Sequence, residues 1–102
     1  MSSYKLSDEA AADLDEITVY TYENHGATQA LRYIDNLDEC ATNLASGYGY
    51  YKELPDLHPQ LRMKHCQHHY IFGIVRELQP MLVVTILHER MKLIARVQNR
   101  LE

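Results

Sequence analysis

Two stretches of this 102-residue chain hold side chains able to do chemistry. His65-Cys66-Gln67-His68-His69 places three imidazoles and a thiol within five positions. Zinc prefers three or four such ligands converging on one point. Strand alternation points His65 and His69 one way and Cys66 and His68 the other, so each face supplies only two. That shortage predicts no metal site, unless a turn at Gln67 merges the faces and His88 joins them. The second set, Arg62, Lys64, His88 and Arg90, combines cations with an imidazole. These are the parts of acid–base chemistry on a phosphodiester, provided strand ends bring them together. The plainer reading makes Arg62 and Lys64 the solvated side of a half-buried strand, with His88 and Arg90 capping the sheet's end. Ser46 and Cys66 have no legible triad partners. Gly47-Tyr48-Gly49-Tyr50-Tyr51 neither follows a strand nor opens a helix, so it is no phosphate-cradling loop. Its tyrosines suit either an aromatic binding loop or a cover tucked against the neighbouring helices.

The elements that position these residues are readable from periodicity. Tyr4-Lys5-Leu6 alternates as a short edge strand. Ser7 is an N-cap with Asp8 and Glu9 in the first turn, where carboxylates favour the helix dipole. Ala10, Leu14, Ile17 and Thr21 recur at helical spacing, with Asp13, Asp15, Glu16 and Glu23 largely off that stripe. Gly26 stops this helix. A second follows with Ala30, Tyr33, Ile34, Leu37, Ala41 and Leu44 on its apolar face, ended by Gly47 and Gly49. Two helices with so short a break form an antiparallel hairpin.

From Tyr48 to Gln60 the glycine and prolines read as loop. Leu61–His65 then alternates with period two, and His69–Val75 makes a second strand. Arg76–Pro80 turns the chain into a third strand, Met81–His88, which is apolar on both faces and so fits a central, covered position. Short connections make these three an antiparallel meander. A last helix is expected from about Met91 to Arg100. Leu93, Ile94, Val97 and Leu101 form its apolar stripe, and Lys92, Arg96 and Arg100 a basic one. The expected architecture is α+β: an N-terminal strand, a helix hairpin on a small antiparallel sheet (βααβββ) and a C-terminal helix, as one domain over residues 1–102.

Composition narrows the classes. At 46% hydrophobic and 24% charged, the chain is an ordinary globular domain, not a disordered one. No run approaches the ~20 apolar residues of a membrane span, and no secretory leader is visible at Met1–Lys5. Cys40 and Cys66 make no disulfide framework, and they read as free thiols of a reducing cytoplasm. The net charge of −4 conceals a division. Residues 1–57 carry three basic and eleven acidic groups, whereas residues 58–102 carry seven basic and three acidic, with five of the six histidines. A uniformly basic nucleic-acid coat is excluded.

In this order the chain resembles the ParE toxins of the ParE/RelE superfamily of type II toxin–antitoxin systems. Tyr4-Lys5-Leu6-Ser7, Ala11, Asp13-Leu14, Ile17 and Tyr20 resemble that family's first strand and helix. Gly26, Ala30, Tyr33, Leu37 and Leu44-Ala45 are similar to its second helix. Leu61-Arg62 and His69-Tyr70-Ile71-Phe72 resemble its meander. Most specific is Val84-Thr85-Ile86-Leu87-His88-Glu89-Arg90-Met91, similar to the Ile-Leu-His-x-Arg-Met ending of ParE-type toxins.

The resemblance implies a toxin neutralised by a cognate ParD- or Phd-like antitoxin and acting on DNA gyrase, with no cofactor. The RelE branch instead cleaves mRNA on the ribosome, and Arg62, His88 and Arg90 are the catalytic set in that reading. Against it stand the acidic balance and Glu89-Arg90-Met91-Lys92, which lacks the tyrosine that RelE-type nucleases resemble one another in carrying. A non-toxic, antitoxin-binding homologue is the third reading. Candidate antitoxin- or target-binding residues are Arg62, Lys64, His88, Arg90, Lys92, Leu93, Arg96, Val97 and Arg100. The expected assembly is a homodimer or a toxin–antitoxin hetero-oligomer, with no membrane and no direct nucleic-acid partner.

Overall fold

The computed structural model describes residues 3–91 and 93–101. The chain runs β1 (Tyr4–Leu6), α1 (Asp8–His25), α2 (Ala27–Ser46), β2 (Lys52–Glu53), β3 (Leu61–Cys66), β4 (His69–Arg76), β5 (Gln79–His88) and α3 (Leu93–Leu101). Lys92 lies outside the described residues, as does the side chain of Leu93. Among the described residues no helix is long and apolar enough to cross a membrane.

The helix ends follow their capping residues. Ser7 accepts a hydrogen bond from the Ala10 N–H, and its own N–H donates to the Val83 carbonyl, tying the start of α1 to the sheet. Gly26, at φ 86° and ψ 172°, is both the last cap of α1 and the first of α2. No neighbour crowds it, so the positive φ is what calls for glycine. Gly47 closes α2 in the left-handed conformation, its N–H donating toward the Asn43 and Leu44 carbonyls.

The five strands are ordered β1-β5-β4-β3-β2. The β3-β4-β5 meander is antiparallel and β1 joins β5 in parallel at the edge. Residues 48–60 were expected to be loop throughout, yet Lys52 and Glu53 pair with Met63 and Arg62 as a second edge strand. So short a strand has no side-chain period to announce it; backbone pairing with β3 creates it.

The hairpin covers one face of the sheet, where Tyr33, Leu37, Ala41 and Leu44 pack on Ile71, Met81, Val83 and Ile86. Leu61, Phe72, Val84 and Leu87 form a second cluster closed by Val97 of α3. Val83 through Leu87 are all buried, as the two-sided apolar run required. Within α3 the expected stripe holds at Val97 and Leu101, but Ile94 is 50% exposed. A nine-residue helix laid across the edge of one cluster has room to bury only one narrow line of side chains.

The cysteines are not free. Cys40 on α2 and Cys66 at the end of β3 form a disulfide with Cα atoms 6.2 Å apart. Counting cysteines could not find this, because 26 positions separate a pair that helix-on-sheet packing brings together.

Candidate functional site: a cationic groove at the end of the sheet

A groove of about 730 Å³ opens between the helix hairpin, the His88 end of β5 and α3. Ile17 and Ile86 contribute its apolar surface, Tyr20 and Tyr33 its aromatic edge. His68, His69, His88, Arg90, Arg96 and Arg100 bring imidazole and guanidinium groups to it. Asp13 and Glu16 of α1 lie on the opposite wall.

The histidines gather because the β3–β4 turn is only two residues long. Gln67 adopts φ 57° and Cys66 pairs directly with His69. Directly opposed residues in an antiparallel pair share a face. His69 therefore lies with Cys66 on the hairpin side, while His65 stacks on Tyr70 at 4.5 Å on the other. This corrects the expectation that His65 and His69 point the same way: the tight turn resets the alternation. His88, paired with His69, meets it edge-on at 5.2 Å between ring centres.

Tyr33 anchors this end. Its hydroxyl accepts the His68 N–H and is hydrogen-bonded to Nδ1 of His69. Burial, and then the neighbouring charges of His88 and His68, push the His69 imidazole down to about 4. The ring is accordingly neutral at pH 7, and the network assigns the Tyr33 O–H as donor and Nδ1 as acceptor. Burial raises the Tyr33 phenol above its ordinary value, which keeps its proton in place.

Glu89 clips the outer rim, with Oε1 3.1 Å from His65 Nε2 and Oε2 3.3 Å from His68 Nδ1. Hydrogen bonds from His68 and then His65 hold its carboxyl below the usual range. These groups do not converge on a point: among the described residues, no set of three or more His, Cys, Asp or Glu is arranged to hold a metal ion.

The remaining residues singled out from the sequence divide between two places. His88, Arg90, Arg96 and Arg100 reach the groove. Arg62 and Lys64 do not line it. Arg62 donates to the Leu44 carbonyl at 2.9 Å, capping the end of α2, and its guanidinium lies 4.7 Å over the Tyr51 ring. Lys64 donates to the Tyr50 carbonyl at 2.9 Å. Together they pin the 47–51 loop, leaving Tyr48 and Tyr50 exposed while Tyr51 tucks beneath. Val97, read as a binding anchor, is fully buried in the core. Met91 and Tyr20 are exposed large side chains that line the groove, at 44% and 65%, and Ile94 of α3 is exposed outside it.

Arg100 is committed inside the fold. It reaches Asp13 with both terminal nitrogens, Glu9 through Nε at 2.6 Å, and the Val84 carbonyl at 3.2 Å. Asp13 is not among the candidate site residues that the sequence offers, where it falls off the expected buried stripe. Its spacing from Ala10 and Ile17 is that of an inward-facing residue, and a carboxylate there was the signal to follow.

The chain is similar to known proteins in sequence and in fold. A family model described as "ParE toxin of type II toxin-antitoxin system, parDE" matches residues 4–93. A protein named "Toxin ParE" from Escherichia coli is 47% identical over 102 residues, spanning 100% of this chain and 99% of its own. The solved structure titled "Chromosomal ParDE TA system from P. aeruginosa" superposes with a TM-score of 0.65 at 22% identity. It covers 86% of this chain and 96% of that one, and shows the same fold.

Proposed function

The chain belongs to the ParE toxin family and is the toxin component of a type II toxin–antitoxin system; from that premise we propose that it binds and inhibits DNA gyrase. The observation that carries this reading against RNA cleavage is the separation of the cationic residues. Arg62 and Lys64 are spent on the α2 end and the tyrosine loop, so two of the four groups that the phosphodiester reading requires are held apart from His88 and Arg90. A protein that acts by binding needs no acid–base pair, only a surface.

That surface is the groove rim. Arg90 and Arg96 offer positive charge, and Met91 and Tyr20 offer exposed apolar surface. An acidic amphipathic segment of the cognate antitoxin suits it, since a disordered segment that folds on binding gains both kinds of contact.

Purified, antitoxin-free protein in a gyrase supercoiling assay tests the target. Inhibition with accumulation of the cleaved gyrase–DNA complex is the expected result, and unhindered supercoiling refutes it. One observation favours a second reading: His88 and Arg90 do share the groove. Arrest of translation instead of supercoiling, abolished by His88→Ala with antitoxin binding intact, would assign ribosome-dependent mRNA cleavage.

A further inference from the structure

We propose that the Cys40–Cys66 bond is a thiol–disulfide switch on the wall of the groove. Cys66 is followed at once by Gln67 and His68 and is paired with His69, and those three residues line the groove. Two turns before Cys40 on α2 stands Tyr33, whose hydroxyl holds the His68 N–H and the His69 ring. One helix thus grips one turn at two points, covalently through Cys40 and by hydrogen bonds through Tyr33. Opening the disulfide leaves the Tyr33 hydroxyl and apolar packing as the hold of α2 on this turn, beside the strand pairing of His69 with His88.

The two sulfurs differ in access. Cys40 is half-buried, whereas Cys66 is 3% exposed. A thiolate of a cellular dithiol therefore attacks Sγ of Cys40, the S–S bond breaks, and Cys66 leaves as a thiolate that takes up a proton. The second thiol of the reductant then displaces Cys40 from the mixed disulfide. The reductant ends as a disulfide and the protein gains two electrons and two protons. Oxidation by a small disulfide such as oxidised glutathione runs the exchange backwards.

The reduced state has a place prepared for it. Sγ of Cys66 lies 3.5 Å from the Asn36 carbonyl, which accepts the S–H that appears on reduction. Cys66 belongs to the buried cluster under the hairpin and Cys40 packs against it; reduction leaves both side chains in place, so the fold keeps its core while the groove wall loosens. In the oxidised form a partner meets a preset wall; in the reduced form it must order that wall, and affinity falls.

The readouts concern this chain alone and do not depend on which target it has. Amide hydrogen exchange is compared for the full chain, oxidised and after treatment with dithiothreitol, alongside thermal unfolding and alkylation in glutathione buffers. On reduction, residues 66–69 should exchange about tenfold faster while Ile71 and Val83 stay protected. The midpoint of unfolding should fall by on the order of 10 °C. Cys40→Ser, which leaves the buried Cys66 in place, should match the reduced protein and ignore dithiothreitol. Identical exchange in both states, complete unfolding on reduction, or a bond that glutathione cannot open would each overturn the proposal.

Discussion

Asp13 and Arg100, 87 positions apart, meet through two contacts of 3.0 and 3.1 Å and together close the flank of β5 that β1 leaves open. β1 pairs only with Met81–Val83. Beyond it, the Ile86 N–H and the Thr85 hydroxyl donate to Asp13, while the Val84 carbonyl accepts from Arg100. An ion pair here replaces a missing strand. It also fastens α3 to α1.

Asp13→Ala should therefore cost about 3 kcal/mol in urea unfolding, because it takes the two-pronged partner from Arg100, leaving Glu9 and the Val84 carbonyl, and strands two further donors. Asp13→Asn keeps an acceptor and should cost less. Combined with Arg100→Ala, the losses should be non-additive by roughly 1–3 kcal/mol. Additive losses would mean that the pair does not act as a unit.

His69 gives the fold a specific acid sensitivity. Its imidazole titrates at about 4 in the folded protein, below the ordinary ~6.5 of the unfolded chain. The unfolded state thus binds the proton first, and stability falls as pH drops from ~6.5 toward 4. His69→Gln should flatten that stretch of the stability–pH curve, measured by urea midpoints at intervals. An unchanged slope would show that His69 is not its source.

Arg62 and Arg90 should separate by phenotype. Arg62→Ala removes the cap of α2 and the stacking on Tyr51, for a loss of about 1–2 kcal/mol in stability. Arg90→Ala, at the groove rim, should leave the thermal midpoint within a degree or two yet weaken partner binding, read by titration calorimetry. A stable Arg62→Ala protein lacking toxicity would instead make Arg62 a functional group.

Gly73 is needed for space. A Cβ there would come 2.5 Å from Sδ of Met81. Gly73→Ala should destabilise by about 1–3 kcal/mol, since Met81 is buried and must find another rotamer. Thermal unfolding measures it, and a neutral result would show that the methionine relocates freely.

Much of the fold was legible because it is coded locally. Ala30, Tyr33, Leu37, Ala41 and Leu44 recur at helical spacing and are all buried; Met81–Leu87 reads as a covered strand and is one. The groove was only partly legible. His88, Arg90 and Arg96 could be nominated by type, but the faces of His65 and His69 depended on a two-residue turn, and Val97 turned inward where an outer anchor was expected.

Local order along the chain suffices for the elements, the two apolar faces of β5 and the division between an acidic hairpin and a basic sheet and tail. Periods of 3.6 and 2.0 residues, and the charge along the chain, are local properties that no packing changes. Packing of helices on the sheet is what brings Cys40 to Cys66, Tyr33 to His69 and Asp13 to Arg100. Each of those pairs spans 26 or more positions, and its geometry exists only once the hairpin and α3 have settled on the sheet. Among side chains of similar type, packing chooses the partners.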